Sequence, residues 1–176
     1  MVTTEIEDGW LTISGKRMKA GKSHSIPLSA PALAIIEAVP ANEVGLVFTM
    51  PPLANNPLLG RHRPLVGFSA VKAKLDAACA EIAAETGAKP IAERWTFHDL
   101  RRTARSQFSR IPGVSDVVRE LALAHRPGGV FGTYDRHDYR EELVTLFTAW
   151  GERLSAIVGG NVVSLPVRPA AAVSHK

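Results

Sequence analysis

The last strongly patterned segment of the chain, residues 138–157, constrains the fold most. Its large apolar side chains recur at every third or fourth position, which is the spacing of one face of an amphipathic α-helix. They are Leu143, Leu146, Phe147, Trp150, Leu154 and Ile157. Such a helix becomes stable only when its apolar face packs against other elements. The sequence therefore predicts a helix-containing core in which Trp150 is a packing residue.

Four shorter helices are predicted upstream of this segment from their capping signals. They cover residues 30–39, 70–87, 97–109 and 115–124, and their predicted N-caps are Ser29, Ser69, Thr96 and Ser115. Thr96 is followed three residues later by Asp99, which is the pattern of a capping box. Pro31 fits an early helical position, and Gly87 is a natural end for the second of these helices.

The second helix is predicted to bury one apolar face. Its candidate core residues at helical spacing are Val71, Leu75, Ala78 and Ile82. Cys79 lies in the same pattern and is expected to be a small buried residue. Residues 88–95 are predicted to form a loop that leads to the capping box.

Strands are predicted mainly near the N-terminus. The runs 9–15 and 24–29 are typical of the two strands of a hairpin, and Gly21 between them can adopt a positive φ. Residues 45–48, Gly-Leu-Val-Phe, are expected to form a short buried strand. The predicted fold class is mainly α with a small N-terminal antiparallel sheet (α+β). We expect one domain over residues 1–158 and a flexible tail over 159–176.

The composition is typical of a folded soluble domain rather than of a membrane or disulfide-rich protein. Hydrophobic residues make up 45% of the 176 residues. Cys79 is the only cysteine, so an intramolecular disulfide and a cysteine metal cage are both excluded. No apolar run is long enough to suggest a membrane span, and the N-terminus lacks the pattern of a signal peptide. We expect a cytoplasmic protein.

Basic residues are concentrated in one part of the chain, although the net charge is only +4. Between positions 94 and 110 a single acid, Asp99, accompanies five arginines: Arg94, Arg101, Arg102, Arg105 and Arg110. Such a cluster is suited to phosphate binding. A solvated helix face is the alternative interpretation of the charges alone.

The order of four side chains gives a more specific indication. The segment HDLRRTARSQF and the later segment LALAHRPGGVFGTYDRHDY place His98 three residues before Arg101, and His125 nine residues before Tyr134. This order and spacing resemble the catalytic domain of the tyrosine recombinases, the phage-integrase family. The sequence TYDRHDYREE, followed by a helix that contains a tryptophan, is similar to the prophage and genomic-island branch of that family. The resemblance covers roughly residues 9–157.

The predicted N-terminal hairpin adds a fourth point of resemblance. Members of the family carry a catalytic lysine in the turn, eight residues before the proline of an Ile/Val-Pro-Leu strand. Lys19 lies eight residues before Pro27 and is the favoured candidate. Lys16 and Lys22 are close alternatives in the same turn.

The resemblance implies a role for each of these residues. Tyr134 attacks the scissile phosphate and becomes linked to the 3′ end of the DNA, so that rejoining needs no ATP. Arg101 binds the non-bridging oxygens and His98 assists proton transfer at the nucleophile. Lys19 protonates the leaving 5′ oxygen, and His125 donates a hydrogen bond to the phosphate. Tyr139 is the rival nucleophile, but its spacing from His125 does not fit.

The partner implied by the resemblance is double-stranded DNA that carries attachment sites, and no cofactor or metal is expected. Non-specific attraction to DNA is assigned to Arg94, Arg102, Arg105, Lys72 and Lys74. The helix over 138–157 is also a candidate surface for self-association on DNA. Four other histidines show no metal-ligand spacing and are interpreted as loop residues: His24, His62, His137 and His175.

The sequence departs from the family pattern in one respect. Members carry a further arginine in a Gly-x-Arg-x-x-Glu-like motif before the hairpin, and this sequence begins at the hairpin. We therefore expect a truncated catalytic domain without its first helices, and a rate reduced on the order of 10²–10³-fold by loss of one charge-stabilising donor. The alternatives are a DNA-binding or interaction remnant without catalysis and a topoisomerase. A metal-dependent nuclease is disfavoured because no acidic cluster is present.

Overall fold

The computed structural model describes residues 2–50, 61–125 and 137–159, and these residues form a mixture of helices and small antiparallel sheets. The strands are β1 (Ile6–Glu7), β2 (Trp10–Ile13), β3 (His24–Pro27), β4 (Thr49–Met50) and β5 (Arg63–Pro64). The α-helices are α1 (Ala30–Glu37), α2 (Phe68–Thr86), α3 (Phe97–Phe108), α4 (Asp116–Ala122) and α5 (Arg140–Val158). Single 3₁₀ turns occupy Thr3–Glu5 and Gly15–Arg17. The α+β class predicted from the sequence is confirmed.

The predicted N-terminal hairpin is confirmed and is part of a three-stranded sheet. In the β2–β3 pair, Trp10 lies opposite Pro27 and Ile13 lies opposite His24. Strand β1, which was not predicted, pairs with β2 through a two-residue turn of Asp8 and Gly9, whose φ angles are 47° and 75°. An Asp-Gly pair with two positive φ angles is the preferred turn of a tight β-hairpin. His24 lies in strand β3, so its interpretation as a loop residue is wrong.

Helix α5 lies against the core, as its apolar pattern predicts. It packs on α1, α4 and β3, and α3 packs on α4. The buried residues of the cluster are Phe108, Ile111, Val114, Val118, Ala122, Leu143 and Leu146. Trp150 packs edge-to-face on Phe108, with the ring centroids 5.7 Å apart. The predicted packing role of Trp150 is confirmed, whereas Leu154 and Ile157, at the far end of the predicted face, are exposed.

A glycine allows α5 to approach the start of α1. A Cβ atom placed on Gly151 would lie 2.7 Å from Cβ of Ser29 and 3.3 Å from Cδ of Pro31. Only a residue without a side chain fits at this distance. Ser29 has the extended backbone of an N-cap, but its side chain caps no backbone amide. The residue predicted as a cap therefore serves as a close packing partner of α5.

Local capping explains α3 and α4, both of which were predicted. The Asp99 carboxylate accepts from the backbone N–H of Thr96 at 2.9 Å and from its hydroxyl at 2.8 Å. These bonds, with the negative charge in the first turn, stabilise the start of α3. At α4 the hydroxyl of Ser115 accepts from the backbone N–H of Val118 at 3.4 Å. The loop predicted over residues 88–95 is also confirmed.

The predicted start of α2 and the predicted burial of its apolar face are both wrong. The helix begins at Phe68 after Gly67, which has a φ of 72°, so Ser69 lies inside the first turn. No residue of α2 is buried, and Leu75 and Ile82 are exposed. The first turn of α2 makes an edge-to-face contact between Phe68 and Phe97. The middle of the helix lines a groove with the loop over residues 90–95 through Lys72, Asp76, Cys79 and Ala80, and Cys79 is only partly buried.

Residues 45–48 do not form the predicted strand; Leu46 makes an isolated antiparallel bridge with Val2, after a turn at residues 43–44. The side-chain oxygen of Asn42 accepts from the backbone N–H groups of Val44 and Leu46, and its amide donates to the carbonyl of Leu46 at 2.6 Å. These bonds satisfy backbone groups that a strand ladder would otherwise use. Val47 is buried as expected, but the regular pairing begins at β4, which lies antiparallel to β5.

Two further predictions concern the C-terminal tail and membrane spans. The C-terminal tail predicted over 159–176 lies, except for Gly159, outside the described residues. Within the described ranges, no helix combines the length and the apolar character needed to cross a lipid bilayer.

Candidate functional site

Helix α4 ends in a turn that directs His125 back toward α3. The backbone N–H of His125 donates to the carbonyl of Glu120, and the N–H of Ala124 donates to the carbonyl of Leu121, both at 2.9 Å. This pair of bonds is a Schellman motif, which requires a left-handed residue after the helix. Ala124 supplies that conformation with a φ of 56°. The turn places the His125 ring beside the last turn of α4.

Arg101 meets His125 from α3. Its Nη2 atom lies 3.0 Å from Nε2 of the His125 ring, and the same nitrogen donates to the backbone carbonyl of Leu123. A guanidinium group can only donate hydrogen bonds, so Nε2 of His125 must act as the acceptor. The structure thus brings together two of the residues selected from the sequence, one from each side of the α3–α4 turn.

A carboxylate that the sequence analysis did not select completes this group. Oε2 of Glu120 lies 2.7 Å from Nδ1 of His125, and Oε1 accepts from Nε of Arg105, also at 2.7 Å. Hydrogen bonds from Arg105 and then from His125 hold the pKa of Glu120 below its usual value. Glu120 is therefore a carboxylate at neutral pH. We define the Arg101–His125–Glu120–Arg105 chain of contacts as the α3–α4 polar cluster.

The cluster continues toward the start of α4. Arg105 also donates to the hydroxyl of Ser109 at 3.0 Å and lies 3.4 Å from Oδ1 of Asp116. Asp116 in turn lies 2.9 Å from Nη1 of Arg119, which is the largest cause of the lowered pKa of its carboxyl group. Arg105 therefore joins α3 to both ends of α4. The His125 side chain remains 56% exposed and can be reached by a ligand.

The other residues selected for catalysis lie outside this cluster. His98 is exposed in the first turn of α3, and no described hydrogen bond joins it to Arg101 or His125. Lys19 is exposed in the turn between β2 and β3, where Gly21 has the expected positive φ of 67°. Lys16 and Lys22 are exposed in the same turn. Tyr134 lies outside the described residues.

Tyr139, the rival nucleophile, has a structural position. It precedes α5 with a φ of 55° and packs against the hydrophobic core. Its ring centroid lies 4.4 Å from that of His137. His137 is also 2.7 Å from Oε1 of Glu142, and His62 pairs with Glu43 at the same distance. Both histidines lie in non-regular segments, as expected, whereas His175 is outside the described residues.

Some of the basic side chains assigned to DNA attraction are already engaged in contacts within the protein, and others are exposed. Lys72 is paired with Asp76 at 2.6 Å, and its Nζ lies 3.8 Å from the centroid of the Trp95 ring. Arg105 is engaged in the α3–α4 polar cluster. The side chain of Arg102 is 74% exposed and bonded to Asp99 at 3.2 Å. Two further basic residues are exposed, namely Lys74 and Arg94.

Glu120 could have been found from the sequence by one signal. It lies five residues before His125, and a helix that ends at a Leu-Ala-His sequence brings these two positions together through its C-terminal turn. The spacing of His125 from Arg101 and Tyr134 does not reveal this contact, which follows from the local geometry of the helix end.

Comparison with known proteins gives one informative similarity. Over 158 residues, which are 89% of this chain, the sequence is 25% identical to the prophage integrase IntZ of Escherichia coli (strain K12). The chain spans 34% of the length of that protein. No protein-family model matches the chain, and no solved structure gives a significant match. The chain is thus distantly similar to a prophage integrase over most of its length.

Proposed function

We propose that this chain is the catalytic part of a site-specific DNA recombinase of the tyrosine type. The observation that carries the proposal is the contact between Arg101 and His125, 3.0 Å apart on α3 and after α4. An exposed histidine beside a guanidinium group forms a site suited to an oxyanion such as a DNA phosphate. The distant similarity to a prophage integrase supports the same assignment.

The proposed reaction is transfer of a phosphodiester bond to a tyrosine and back. The hydroxyl oxygen of Tyr134 attacks the phosphorus, the bond to the 5′ oxygen breaks, and a 3′-phosphotyrosyl bond forms. His98 accepts the proton of the tyrosine, Lys19 donates a proton to the leaving 5′ oxygen, and Arg101 and His125 stabilise the charge on the non-bridging oxygens. Attack by a 5′ hydroxyl reverses the reaction, so the chemistry needs no metal and no ATP.

The proposed partner is double-stranded DNA. The exposed side chains of Arg94, Arg102 and Lys74 can neutralise neighbouring phosphates, and this binding weakens as the salt concentration rises. The end of α5, where Leu154 and Ile157 are exposed, is the part of that helix that we propose contacts a second protomer. We propose residues 1–158 as a partial catalytic domain that acts on DNA.

A covalent trapping experiment tests the proposed reaction. The substrate is a pool of duplexes with a nick and with randomised sequence around it. Cleavage near the nick releases a short 5′ fragment, and loss of this fragment prevents rejoining, so the covalent adduct accumulates. After denaturation, the wild-type chain is expected to carry a DNA strand. The Tyr134→Phe variant should form no adduct, and the Tyr139→Phe variant, which also loses one tyrosine hydroxyl, should form it.

Three other results would change the assignment. Salt-sensitive DNA binding without any adduct would indicate a DNA-binding module without catalysis. An adduct that persists in Tyr134→Phe and disappears in Tyr139→Phe would contradict the assigned nucleophile. Relaxation of supercoiled DNA without selection of particular sequences from the pool would favour a topoisomerase.

A further inference from the structure

Among the described residues, two side chains contact the His125 ring nitrogens, and together they allow only one neutral protonation state. Arg101, at 3.0 Å from Nε2, can only donate a hydrogen bond, so Nε2 carries the lone pair. The Glu120 carboxylate, at 2.7 Å from Nδ1, can only accept, so Nδ1 carries the hydrogen. Free of DNA, His125 is therefore held as the Nδ1–H tautomer.

In this tautomer Nε2 of His125 cannot donate a hydrogen bond to a phosphate. Phosphate oxygens accept hydrogen bonds and would face the lone pair of Nε2. For Nε2 to donate, it needs a proton, while the carboxylate of Glu120 keeps the proton on Nδ1. The ring then becomes an imidazolium, and the additional proton comes from the solvent. One N–H of Arg101 Nη2 loses its acceptor on the ring at the same time and can donate to the phosphate, while Nη2 keeps its bond to the Leu123 carbonyl.

We propose that Glu120 is a positioning residue that makes the binding of a DNA phosphate at His125 take up a proton. The inference rests on the proposed function, since it assumes that His125 contacts a phosphate. Glu120 makes two hydrogen bonds with His125. Its backbone carbonyl accepts from the His125 N–H at 2.9 Å, and its carboxylate accepts from the ring. Arg105 fixes the carboxylate from α3 at 2.7 Å.

The charged groups around the ring act in opposite directions. Arg101 on α3 disfavours the imidazolium in the free protein, and Glu120 on α4 favours it. Among the described residues, Arg105 is the other charged group in contact with Glu120, and Asp116 lies 3.4 Å from Arg105. A bound phosphate adds negative charge next to Arg101 and His125. The balance therefore shifts toward the protonated ring only when the phosphate is present.

The variant Glu120→Gln isolates this effect. An amide can either donate or accept, so the substituted side chain allows the neutral Nε2–H tautomer to donate to the phosphate without any proton uptake. The matched control is Glu43→Gln. In the native pair Oε2 of Glu43 lies 2.7 Å from Nδ1 of His62, which is the same atom pair at the same distance as Glu120 and His125.

The measurement is proton uptake on DNA binding, determined by calorimetry in buffers of different ionisation enthalpy. All proteins carry Tyr134→Phe so that binding is not followed by cleavage, and the probe is the nicked duplex pool. At about pH 8, above the ordinary pKa of histidine, the parent protein and Glu43→Gln should take up about one proton. Their DNA affinity should then fall about tenfold for each unit rise in pH near that value. Glu120→Gln should take up almost none.

Two results would overturn the inference alone. The first is equal proton uptake by the parent protein and Glu120→Gln, with thermal unfolding curves that show both to be folded. The second is a ¹⁵N NMR spectrum of the free protein that shows the Nε2–H tautomer at His125. Failure of the proposed function is different, since it appears as loss of DNA binding or as an adduct that does not depend on Tyr134.

Discussion

Arg101 and His125 are 24 positions apart in the chain, yet Nη2 of one lies 3.0 Å from Nε2 of the other. Two local motifs produce this proximity. A capping box at Thr96 and Asp99 begins α3, and a Schellman turn through Ala124 ends α4 and returns His125 toward α3. Packing of α3 on α4 then fixes the distance between them.

Removal of the Arg101 guanidinium should slow the formation of the covalent adduct. We expect Arg101→Ala to reduce the single-turnover rate on the order of 10²–10³-fold, because one preorganised donor to the charged transition state is lost. The measurement is the rate at which the nicked duplex becomes attached to the protein. Arg102→Ala is the matched control when both variants are measured at saturating DNA, because Arg102 is assigned to DNA attraction and not to the reaction. Its side chain is 74% exposed and bonded only to Asp99 among the described residues. Equal rates for the two variants would contradict the role of Arg101.

Ala124→Gly should stabilise the fold. Ala124 has a φ of 56°, a conformation that is unfavourable for a residue with a Cβ atom and open to glycine. After allowance for the greater freedom of glycine in the unfolded chain, we expect a gain of about 0.5–1 kcal/mol in the free energy of unfolding, measured in urea. Ala122→Gly, in the last turn of α4, should instead destabilise the protein. A loss of stability in Ala124→Gly would show that the turn is not maintained in solution.

Gly151→Ala should destabilise the contact between α5 and α1. The new Cβ would lie 2.7 Å from Cβ of Ser29, so one of the helices must shift. Overpacking typically lowers the free energy of unfolding by about 1–3 kcal/mol, and the better helix propensity of alanine offsets about 1 kcal/mol of this loss. We expect a net loss of about 1 kcal/mol in the free energy of unfolding.

A second substitution checks the cause of that loss. Ser29→Gly removes the opposing Cβ, and Ser29 caps no backbone amide through its side chain. The Ser29→Gly/Gly151→Ala protein should therefore be destabilised by less than the sum of the two single changes. Additive losses would show that the two positions do not clash.

The contact between Glu43 and His62 should weaken in acid. Hydrogen bonds from the backbone and the ring of His62 lower the pKa of Glu43 from 4.5 to about 2. Because the folded-state value is depressed, the stabilising contribution is complete above pH 4.5 and is lost as the pH falls toward 2. The amide proton shift of His62, followed by NMR, should move over this window in the wild type but not in Glu43→Gln. A transition centred near the ordinary glutamate pKa would contradict the contact.

Short-range signals predicted most of the regular structure. The Thr96–Asp99 capping box, the Ser115 cap and the β2–β3 hairpin all depend on neighbouring residues, and all were confirmed. The Asp8–Gly9 turn was equally local but was not used. The start of α2 was wrong because the backbone turns at Gly67, where a positive φ outweighs the capping preference of Ser69.

Features that depend on tertiary contacts were harder to predict. Helical spacing indicates which residues of α2 share a face, but it does not determine whether another element covers that face, and Leu75 and Ile82 are exposed. In the candidate site, the spacing of Arg101 and His125 identified two residues that meet. Arg105 gains its role only from the packing of α3 against α4, whereas the contact of Glu120 with Nδ1 of His125 follows from the local C-terminal turn of α4.

Peptide mass spectrometry of the trapped adduct identifies the residue that forms the bond to DNA. The wild-type protein is digested after trapping, and the peptide that carries the 3′ nucleotide is sequenced. We expect a nucleotide on Tyr134, with Tyr139 unmodified. A nucleotide on Tyr139, on a serine or on any other residue would contradict it.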